Sequence, residues 1–205
     1  IQNTEHVDIS KKALVIMCAD NGIVEENVSQ SGQDVTAIVA ANMASRKSSV
    51  CLMAGYTGAQ VIPVDIGIAC ETIPSGKKID DMDGILHKKI SHGTKNFLKE
   101  HAMTDKQCIK AIETGKEIVK MCSEKGINII ATGEMGIGNT TTSAALAAIL
   151  LDEKPENVTG YGAGLTNEGL KNKTETVRKA CEMYSGYKDD ALKLLSCIGG
   201  LDIAG

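Results

Sequence analysis

Short apolar runs alternate along the chain with segments in which apolar residues recur every three or four positions. Three of the runs, at 13–19, 60–66 and 127–131, have the length and the aliphatic content of buried strands. Strands that alternate with helices are typical of an α/β fold with a parallel sheet. We therefore predict a three-layer α/β fold, with a mostly parallel Rossmann-like sheet flanked by helices. The three runs are predicted to be adjacent inner strands.

Helical periodicity follows several of these runs. In segment 34–47 the apolar residues repeat at helical spacing, and Ser31, three residues before Asp34, predicts a capping box at the start of that helix. A second capping box, Thr104 to Gln107, predicts a helix that ends at Gly126, with a core stripe of Cys108, Ile112, Val119 and Cys122. Further helices are predicted at 49–55, 143–151, 167–184 and 189–196. Segments 71–93, 153–165 and 198–205 lack a clean period and are predicted to be loops, the last one leading into a further element.

The most informative segment is 132–142, which joins the third apolar run to an Ala- and Leu-rich helix and contains three glycines. A strand, a glycine-rich turn and a hydroxyl-rich helix start offer backbone N–H groups and a positive helix end to an anion. The segment has no lysine after its last glycine, as a P-loop requires, and lacks the glycine spacing of the dinucleotide fingerprint. We predict a nucleotide site here. The alternative is a tight strand-to-helix turn that binds no ligand.

Glu134 is unusual in such a segment, because its carboxylate would repel a phosphate. We expect it to follow the strand end and to point into the crevice, where it serves a sugar hydroxyl or accepts a proton. Partial burial and a nearby phosphate would both raise its pKa toward the working pH, which suits a general base. The alternative is a structural carboxylate that binds the backbone N–H groups of its own loop.

Composition argues against several classes of partner. The 205 residues include one Phe, four Tyr and no Trp, so few rings are available to stack on nucleic-acid bases. The formal net charge is −4 and no basic block occurs, which disfavours binding to a nucleic-acid backbone. No apolar run approaches the roughly 20 residues that span a bilayer and no signal peptide is visible, so we expect a cytoplasmic protein without membrane contact. Seven cysteines without a CxxC pair and four histidines without ligand spacing predict no metal site, and we expect no cofactor.

Polar residues also follow the first predicted strand. Asp20 and Asn21 lie at its carboxyl end, which is where open α/β sheets bind ligands. Both residue types also favour Asx turns, and that is the alternative interpretation.

Several blocks of the sequence resemble one enzyme family, in the same order and across nearly the whole chain. They are Cys-Ala-Asp-Asn-Gly-Ile-Val at 18–24, Val-Thr-Ala at 35–37, Asn-Met at 42–43, Gly-Glu-Met-Gly-Ile-Gly-Asn-Thr-Thr at 133–141, Gly-Ala-Gly at 162–164, Asn-Lys at 172–173 and Gly-Gly-Leu-Asp at 199–202. Together they resemble the nicotinate-nucleotide–dimethylbenzimidazole phosphoribosyltransferases, which prepare the lower ligand of cobalamin. The block at 133–141 is long and rarely arises by chance, so the resemblance is specific.

The resemblance implies a reaction and a set of site residues. A nitrogen of 5,6-dimethylbenzimidazole, or of a similar base, would attack the anomeric carbon of nicotinate mononucleotide, giving an α-ribazole phosphate and nicotinate. The phosphate would bind the glycine-rich loop and Lys173, for which a solvated helix lysine is the alternative. Asp202 would line the pocket near the ribose, and Ser31 would contact the benzimidazole unless it only caps its helix. The implied substrate-binding residues are Met135, Gly136, Ile137, Gly138, Asn139, Thr140, Lys173, Asp202, Asp20, Asn21 and Ser31, with Glu134 as an auxiliary catalytic candidate.

Two departures from the family pattern affect these expectations. Val39 stands where some members have a glutamine close to the base, which leaves open which base is accepted. The family's general base is a glutamate in a downstream Gly-Glu-Gly-type segment, and neither that segment nor the family's N-terminal Pro-Pro-Gly-Ser-type segment occurs in this sequence. We therefore expect residues 1–205 to form a single α/β nucleotide-binding domain of a longer, homodimeric transferase. Alone, it would be inactive or weakly active.

Two other functions stay open at the level of the sequence. A mononucleotide-binding module or subunit without catalysis would use the same loop and would need no general base. A redox or acyl-transfer protein of the α/β class is disfavoured, because no arrangement of a nucleophile with a base is visible.

Overall fold

The computed structural model describes residues 4–72 and 84–205. Within them a sheet of four strands has the order β3-β2-β1-β4, and every pairing is parallel. The strands are β1 (Lys12–Ala19), β2 (Ala59–Gly67), β3 (Leu86–His87) and β4 (Ile129–Met135). The predicted α/β class, the parallel sheet and the adjacency of the three predicted strands, here β1, β2 and β4, are confirmed.

The helices flank this sheet. They are α1 (Asp34–Ala44), α2 (Ser49–Thr57), α3 (Asp105–Glu124), α4 (Asn139–Leu151), α5 (Pro155–Val158), α6 (Asn167–Tyr184), α7 (Ala191–Ile198) and α8 (Leu201–Ala204), with 3-10 turns at Gly22–Glu26 and Ser185–Tyr187. Each of the three predicted loops contains one short regular element, β3, α5 or α8. These elements were not predicted because they are too short to show a period. Part of the first of these loops, at 73–83, lies outside the described residues. None of the helices in the described ranges is long and apolar enough to cross a membrane.

The central strand β1 is buried on both faces, and its alternate side chains enter two separate cores. Ala13, Val15 and Met17 pack with strand β2 and helix α3, whereas Ile16 and Cys18 pack with α1 and α2. A side-chain period of two places successive residues on opposite faces of a sheet. The result is a three-layer arrangement, in which the sheet lies between helices α1 and α2 on one side and helices α3 and α8 on the other.

Strand β4 differs from its predicted counterpart. The apolar run at 127–131 predicts an inner, buried strand, but within the described part of the chain β4 pairs only with β1 and forms an edge of the sheet. Its residues are therefore largely exposed or half-buried, and Ile129 is 42% exposed. The strand also continues to Met135, because pairing with β1 extends to Cys18 opposite Met135.

Two expectations about helix starts have different outcomes. The capping box at Thr104 and Gln107 is present, since each side chain bonds the backbone N–H of the other residue. The capping box at Ser31 is wrong, because α1 begins after Gln33 and has no side-chain cap.

The predicted core stripe of α3 is also wrong at Val119, which is 52% exposed. The buried residues of this helix follow one another at spacings of three and four, and they are Cys108, Ala111, Gly115, Ile118 and Cys122.

A third core lies beside the sheet and fixes helix α6 against α4. Ala144, Ala145 and Ala148 of α4 pack with Val177 and Ala180 of α6, and α7 adds Leu194, Cys197 and Ile198. Small residues on α4 let the two helices approach closely. This packing holds the N-terminal half of α6 next to the glycine-rich loop.

Candidate functional site

The carboxyl ends of β1 and β4 form the centre of the candidate site. Strand β1 has β2 on one side and β4 on the other. After β1 the chain winds toward β2 and β3, and it later returns to form β4 on the opposite side of β1. A sheet order of this kind opens a crevice at the point where the direction of winding reverses, and ligands bind there in open α/β sheets. The backbone N–H of Asn21, after β1, donates to the carbonyl of Ile137, after β4, over 3.3 Å. The structure therefore brings the two predicted polar segments together.

The loop after β4 has a left-handed glycine and backbone N–H groups without protein acceptors at the start of α4, within the described residues. Gly138 has a φ of +97° and is the N-cap of α4, a backbone conformation that favours glycine. Within the described residues, the N–H groups of Gly138 and Thr140 donate to no protein acceptor. They stand at the positive end of a helix of 13 residues.

Lys173 of α6 places its ammonium group next to this loop. Its side chain is 1% exposed, and its Nζ donates to Thr140 Oγ1 over 2.8 Å and to the carbonyl of Gly160 over 3.0 Å. No carboxylate lies within ion-pair distance of this ammonium in the parts of the chain that the structure describes. Burial lowers the pKa of Lys173, since desolvation disfavours the charged form. A buried lysine without a carboxylate is costly unless an anion neutralises it.

A small cavity lies in front of the loop. It has a volume of about 60 Å³ and is bounded by the loop 136–140, by segment 28–30 and by residues 161–165. That volume exceeds the roughly 10–15 Å³ that one water molecule requires. A Cβ at Gly162 would lie 3.0 Å from Thr140 Oγ1 and 3.2 Å from Lys173 Nζ, so glycine at 162 keeps this corner open. The Gly-Tyr-Gly-Ala-Gly run at 160–164 is the sequence signal for this wall.

Two carboxyl groups and two amides form the second half of the site. Asn139, the first residue of α4, donates from Nδ2 to Glu134 Oε2 and, over 3.0 Å, to Asp202 Oδ2. Asn21 Nδ2 donates to the same Asp202 oxygen over 3.4 Å, and Thr142 Oγ1 donates to Asn21 Oδ1 over 3.3 Å. Glu134 and Asp202 also line a cavity of about 530 Å³ that lies along β4 and α3.

The two carboxyl groups have perturbed acidities. Burial, followed by the charge of Glu134, raises the pKa of Asp202 to about 7. Burial also raises the pKa of Glu134. Asp202 Oδ1 is buried and has no hydrogen-bond partner among residues 4–72 and 84–205. Two carboxylates that share a site do not both ionise readily, so one proton is retained between them near neutral pH.

Asp20 and Asn21 have different environments. The side chain of Asn21 belongs to the carboxyl cluster, as above. Asp20 is fully buried, and its two oxygens accept from Thr36 Oγ1 over 2.5 Å and from the backbone N–H of Ala69 over 2.8 Å. Burial raises the pKa of Asp20. Both of its oxygens are thus bound within the protein.

The remaining predicted residues lie around this centre. Met135, the last residue of β4, packs against the core between the sheet and α1, as does Val39. Ser31 lies in the loop before α1, where its N–H donates to Ser29 Oγ over 3.2 Å. Glu134 does not follow the strand, contrary to the expectation from the sequence. It lies within β4 opposite Met17, and its side chain is directed toward α3 and α8.

Sequence reasoning missed Thr36, whose hydroxyl connects Asp20 with the glycine-rich loop through a hydrogen bond from the N–H of Ile137. Thr36 lies in the first turn of α1, within the Val-Thr-Ala block at 35–37 that resembles the family. Apart from that resemblance, no periodicity or spacing distinguishes it from an ordinary core threonine.

Comparison with known proteins gives a consistent result. A family model described as phosphoribosyltransferase matches residues 1–205. The nicotinate-nucleotide–dimethylbenzimidazole phosphoribosyltransferase of Acetivibrio thermocellus is 45% identical over 199 residues, which are 96% of this chain and 54% of the relative. The protein of the same name from Clostridium acetobutylicum is 41% identical, again over 96% of this chain and 54% of the relative. The chain thus spans about half the length of these curated relatives.

Solved structures agree with this assignment. The crystal structure of CobT from Thermus thermophilus superposes with a TM-score of 0.86 at 32% identity, covering 96% of this chain and 57% of that one. The similarity therefore extends from the sequence to the arrangement of the sheet and its helices.

Proposed function

Since the chain belongs to the phosphoribosyltransferase family whose model matches residues 1–205, we propose that it forms the nucleotide-binding part of a nicotinate-nucleotide–dimethylbenzimidazole phosphoribosyltransferase. The reaction moves the phosphoribosyl group of nicotinate mononucleotide to 5,6-dimethylbenzimidazole or a similar base. The products are an α-ribazole phosphate and nicotinate. The names of the relatives support this choice of substrates.

The observation that carries the proposal is the buried ammonium of Lys173 beside an uncapped helix start. The phosphate of the nucleotide would accept from the N–H groups of Gly138 and Thr140 and from Lys173. Charge-assisted hydrogen bonds of this kind are short and strong, and a helix N-terminus favours an anion. The phosphate would also neutralise a cation that the protein otherwise leaves buried without a carboxylate.

The carboxyl cluster supports the chemistry at the ribose. With the phosphate at the loop, the ribose would extend toward Asn139, which connects the loop to Glu134 and Asp202. In the transfer, a bond forms between the azole nitrogen and the anomeric carbon while the bond from that carbon to the pyridinium nitrogen breaks. The azole proton leaves to a carboxylate, and the raised pKa of Glu134 suits a group that accepts it. We assign Glu134 an auxiliary role in this step, and Asp202 and Asn21 a role in orienting the ribose.

The base would approach from the side of α1. Ser31 lies in the loop before α1, and Val39 lies on α1, half-buried against the core under the sheet. Valine at 39 offers an apolar contact in place of an amide, which favours a base with an apolar edge.

We also propose that residues 1–205 are one α/β unit of a longer cytoplasmic homodimer. The coverage of the relatives supports the first part, since they are nearly twice as long as this chain. Exposed apolar residues on α2 support self-association, because Leu52, Met53 and Tyr56 are 66%, 69% and 93% exposed.

A binding measurement tests the anion site. Titration calorimetry of the 205-residue chain with nicotinate mononucleotide should show binding that Lys173→Ala weakens by roughly 1.5–3 kcal/mol, the range for a hydrogen bond to a charged group. Lys171, an exposed lysine on the same helix, provides the control, and Lys171→Ala should bind normally. Equal affinities of all three proteins would exclude Lys173 from the site.

A turnover measurement separates catalysis from binding alone. The second candidate function, a mononucleotide-binding module without catalysis, is supported by the fact that the anion site is complete without a general base. The full-length protein should convert nicotinate mononucleotide and dimethylbenzimidazole to α-ribazole phosphate, detected by chromatography, and the 205-residue chain should do so feebly or not at all. Nucleotide binding without turnover in the full-length protein would support the module instead.

A further inference from the structure

Thr36 connects three elements of the site through a single hydroxyl group. It lies in the first turn of α1 and is fully buried. Its Oγ1 donates to Asp20 Oδ1 over 2.5 Å and accepts from the backbone N–H of Ile137 over 3.1 Å. Asp20 follows β1, and Ile137 is the middle residue of the loop after β4, 101 positions along the chain from Thr36.

The direction of these hydrogen bonds is fixed by their partners. A carboxylate accepts only, so the one hydroxyl proton of Thr36 points to Asp20, and a lone pair is left for the N–H of Ile137. The second oxygen of Asp20 is held by the N–H of Ala69. The carbonyl of Ile137 in turn accepts from Asn21. The N–H of Ile137 is therefore held by Thr36, which contacts Asp20, and the carbonyl of Ile137 is held by Asn21. Both Asp20 and Asn21 follow directly after β1.

The hydroxyl of Thr36 bonds other segments, as does that of Thr142 at the start of α4. Thr114 and Thr176 lie further along their helices, and each donates to the carbonyl four residues earlier in its own helix. That local bond is the common one for threonine in a helix. Thr36 makes bonds to two other segments instead.

We propose that Thr36 is a positioning residue that holds the glycine-rich loop in its anion-binding conformation by fixing the peptide of Ile137. The next residue, Gly138, has a φ of +97°, and its N–H donates to no protein acceptor among the described residues. The bond to Thr36 fixes the Gly136–Ile137 peptide, and the bond from Asn21 to the carbonyl of Ile137 holds the following peptide, which carries the N–H of Gly138. Loss of the Thr36 bond would free the first of these two peptides to rotate and would loosen the start of α4. Asp20 acts through Thr36, so both residues contribute to the site without touching the ligand.

This inference rests on the proposed anion site for its functional consequence, but its structural half is measured without a ligand. Hydrogen exchange of the Ile137 amide, followed by NMR on the 205-residue chain, reports the bond to Thr36 directly. Thr36→Val keeps the shape and removes the hydroxyl, Thr36→Ser restores the hydroxyl, and Thr36→Ala is available if valine disturbs the fold. Thr114→Val is the matched control, since it removes another buried helix hydroxyl, one that bonds the carbonyl of Lys110 within α3.

In Thr36→Val we expect the Ile137 amide to exchange at least about tenfold faster and the Kd for nicotinate mononucleotide to rise about tenfold, the effect of one lost hydrogen bond. In the full-length protein, KM should rise while kcat changes little. Thr36→Ser and Thr114→Val should stay within about twofold of the parent. Unchanged exchange at Ile137 in Thr36→Val, or equal effects in Thr36→Val and Thr114→Val, would overturn the proposal. If the parent chain fails to bind the nucleotide, the proposed function fails, and the exchange rates still decide the role of Thr36.

Discussion

Asn139 and Asp202 are joined by a hydrogen bond of 3.0 Å between Nδ2 and Oδ2, and the same amide nitrogen of Asn139 also donates to Glu134. One side chain at the start of α4 thereby brings two carboxyl groups together, one from the sheet edge and one from α8. Because both carboxyl groups are desolvated, the cluster retains a proton where isolated carboxylates would be ionised. The arrangement has consequences for stability as well as for catalysis.

The stability of the folded chain should fall as the pH rises from about 4 to about 7. Asp202 has an ordinary pKa of 3.8 and a folded-state pKa of about 7. A raised carboxyl pKa favours the folded state below pH 4 and loses that contribution as the pH passes through the folded value. The contribution of Asp202 is on the order of 4 kcal/mol, at 1.36 kcal/mol per pKa unit.

Urea unfolding of the parent and of Asp202→Asn between pH 4 and 8 measures this effect. Asparagine keeps an acceptor for Asn139 and does not titrate, so its stability should change much less across this window. Asp189→Asn, at an exposed aspartate, should follow the parent. A parent protein whose stability rises steadily from pH 4 to 7 would contradict the assignment.

Removal of the buried charge at position 173 should stabilise the free protein. Methionine is close to lysine in shape, and it removes the cost of burying an ammonium that has no carboxylate partner in the described part of the chain. We expect Lys173→Met to gain about 1 kcal/mol and to show no rise in Tm on addition of phosphate, whereas the parent should show one. Thermal unfolding with and without phosphate gives both values, and a less stable variant that still responds to phosphate would be the opposite result.

Gly136 should tolerate no side chain, for a reason that differs from direct contact with the ligand. A Cβ at this position would collide with the carbonyl oxygen of Ala19 and lie 2.5 Å from Asp202 Oδ2. We expect Gly136→Ala to cost about 1–3 kcal/mol of stability, the range for overpacking, and to weaken nucleotide binding as well. Gly160, where a Cβ meets nothing within 4 Å, is the matched control. If both alanine variants are equally stable in urea, the close contact at 136 does not exist.

The exposed strand β4 should cause the isolated chain to self-associate. An edge strand offers unpaired backbone N–H and C=O groups to another chain, and charged side chains on the edge suppress such pairing. Light scattering should therefore show oligomers of the parent at high concentration, and fewer of Ile129→Lys. Leu192→Lys, which adds the same charge at an exposed position of α7, should leave the oligomers in place. A monomeric parent would show that the edge is protected in another way.

The sequence predicts a strand of the sheet correctly where both faces of that strand are buried. Strand β1 is covered on both faces, so its sequence is a continuous apolar run that identifies it. The end of β4, Thr-Gly-Glu-Met, contains glycine and glutamate, which are depleted in strands. Its extended conformation comes from pairing with β1, and that pairing overrides the local preference. A single sequence carries no record of it.

The sequence indicates the loop of the candidate site, but not the contacts that this loop makes with residues distant along the chain. The glycines and hydroxyl residues at 136–140 are adjacent in sequence, and their pattern alone indicates an anion site. Burial of Lys173 depends on the packing of α6 against α4, so a solvated lysine stays open as the alternative at the level of the sequence. The hydroxyl of Thr36 acts across 101 positions, a distance over which no periodicity or spacing rule applies.

The pairing of β1 with β4 also determines when the site can form during synthesis. Lys12 pairs with Ile129, so the central strand meets this neighbour only after a loop of more than 100 residues has closed. Closing a long loop is slow because its entropy must be lost before the contacts are gained. On the ribosome, β1 and β2 can pair early, while the partner on the other side of β1 is still being translated. The glycine-rich loop follows β4 directly, so it cannot take its place beside β1 and Thr36 before β4 has been translated.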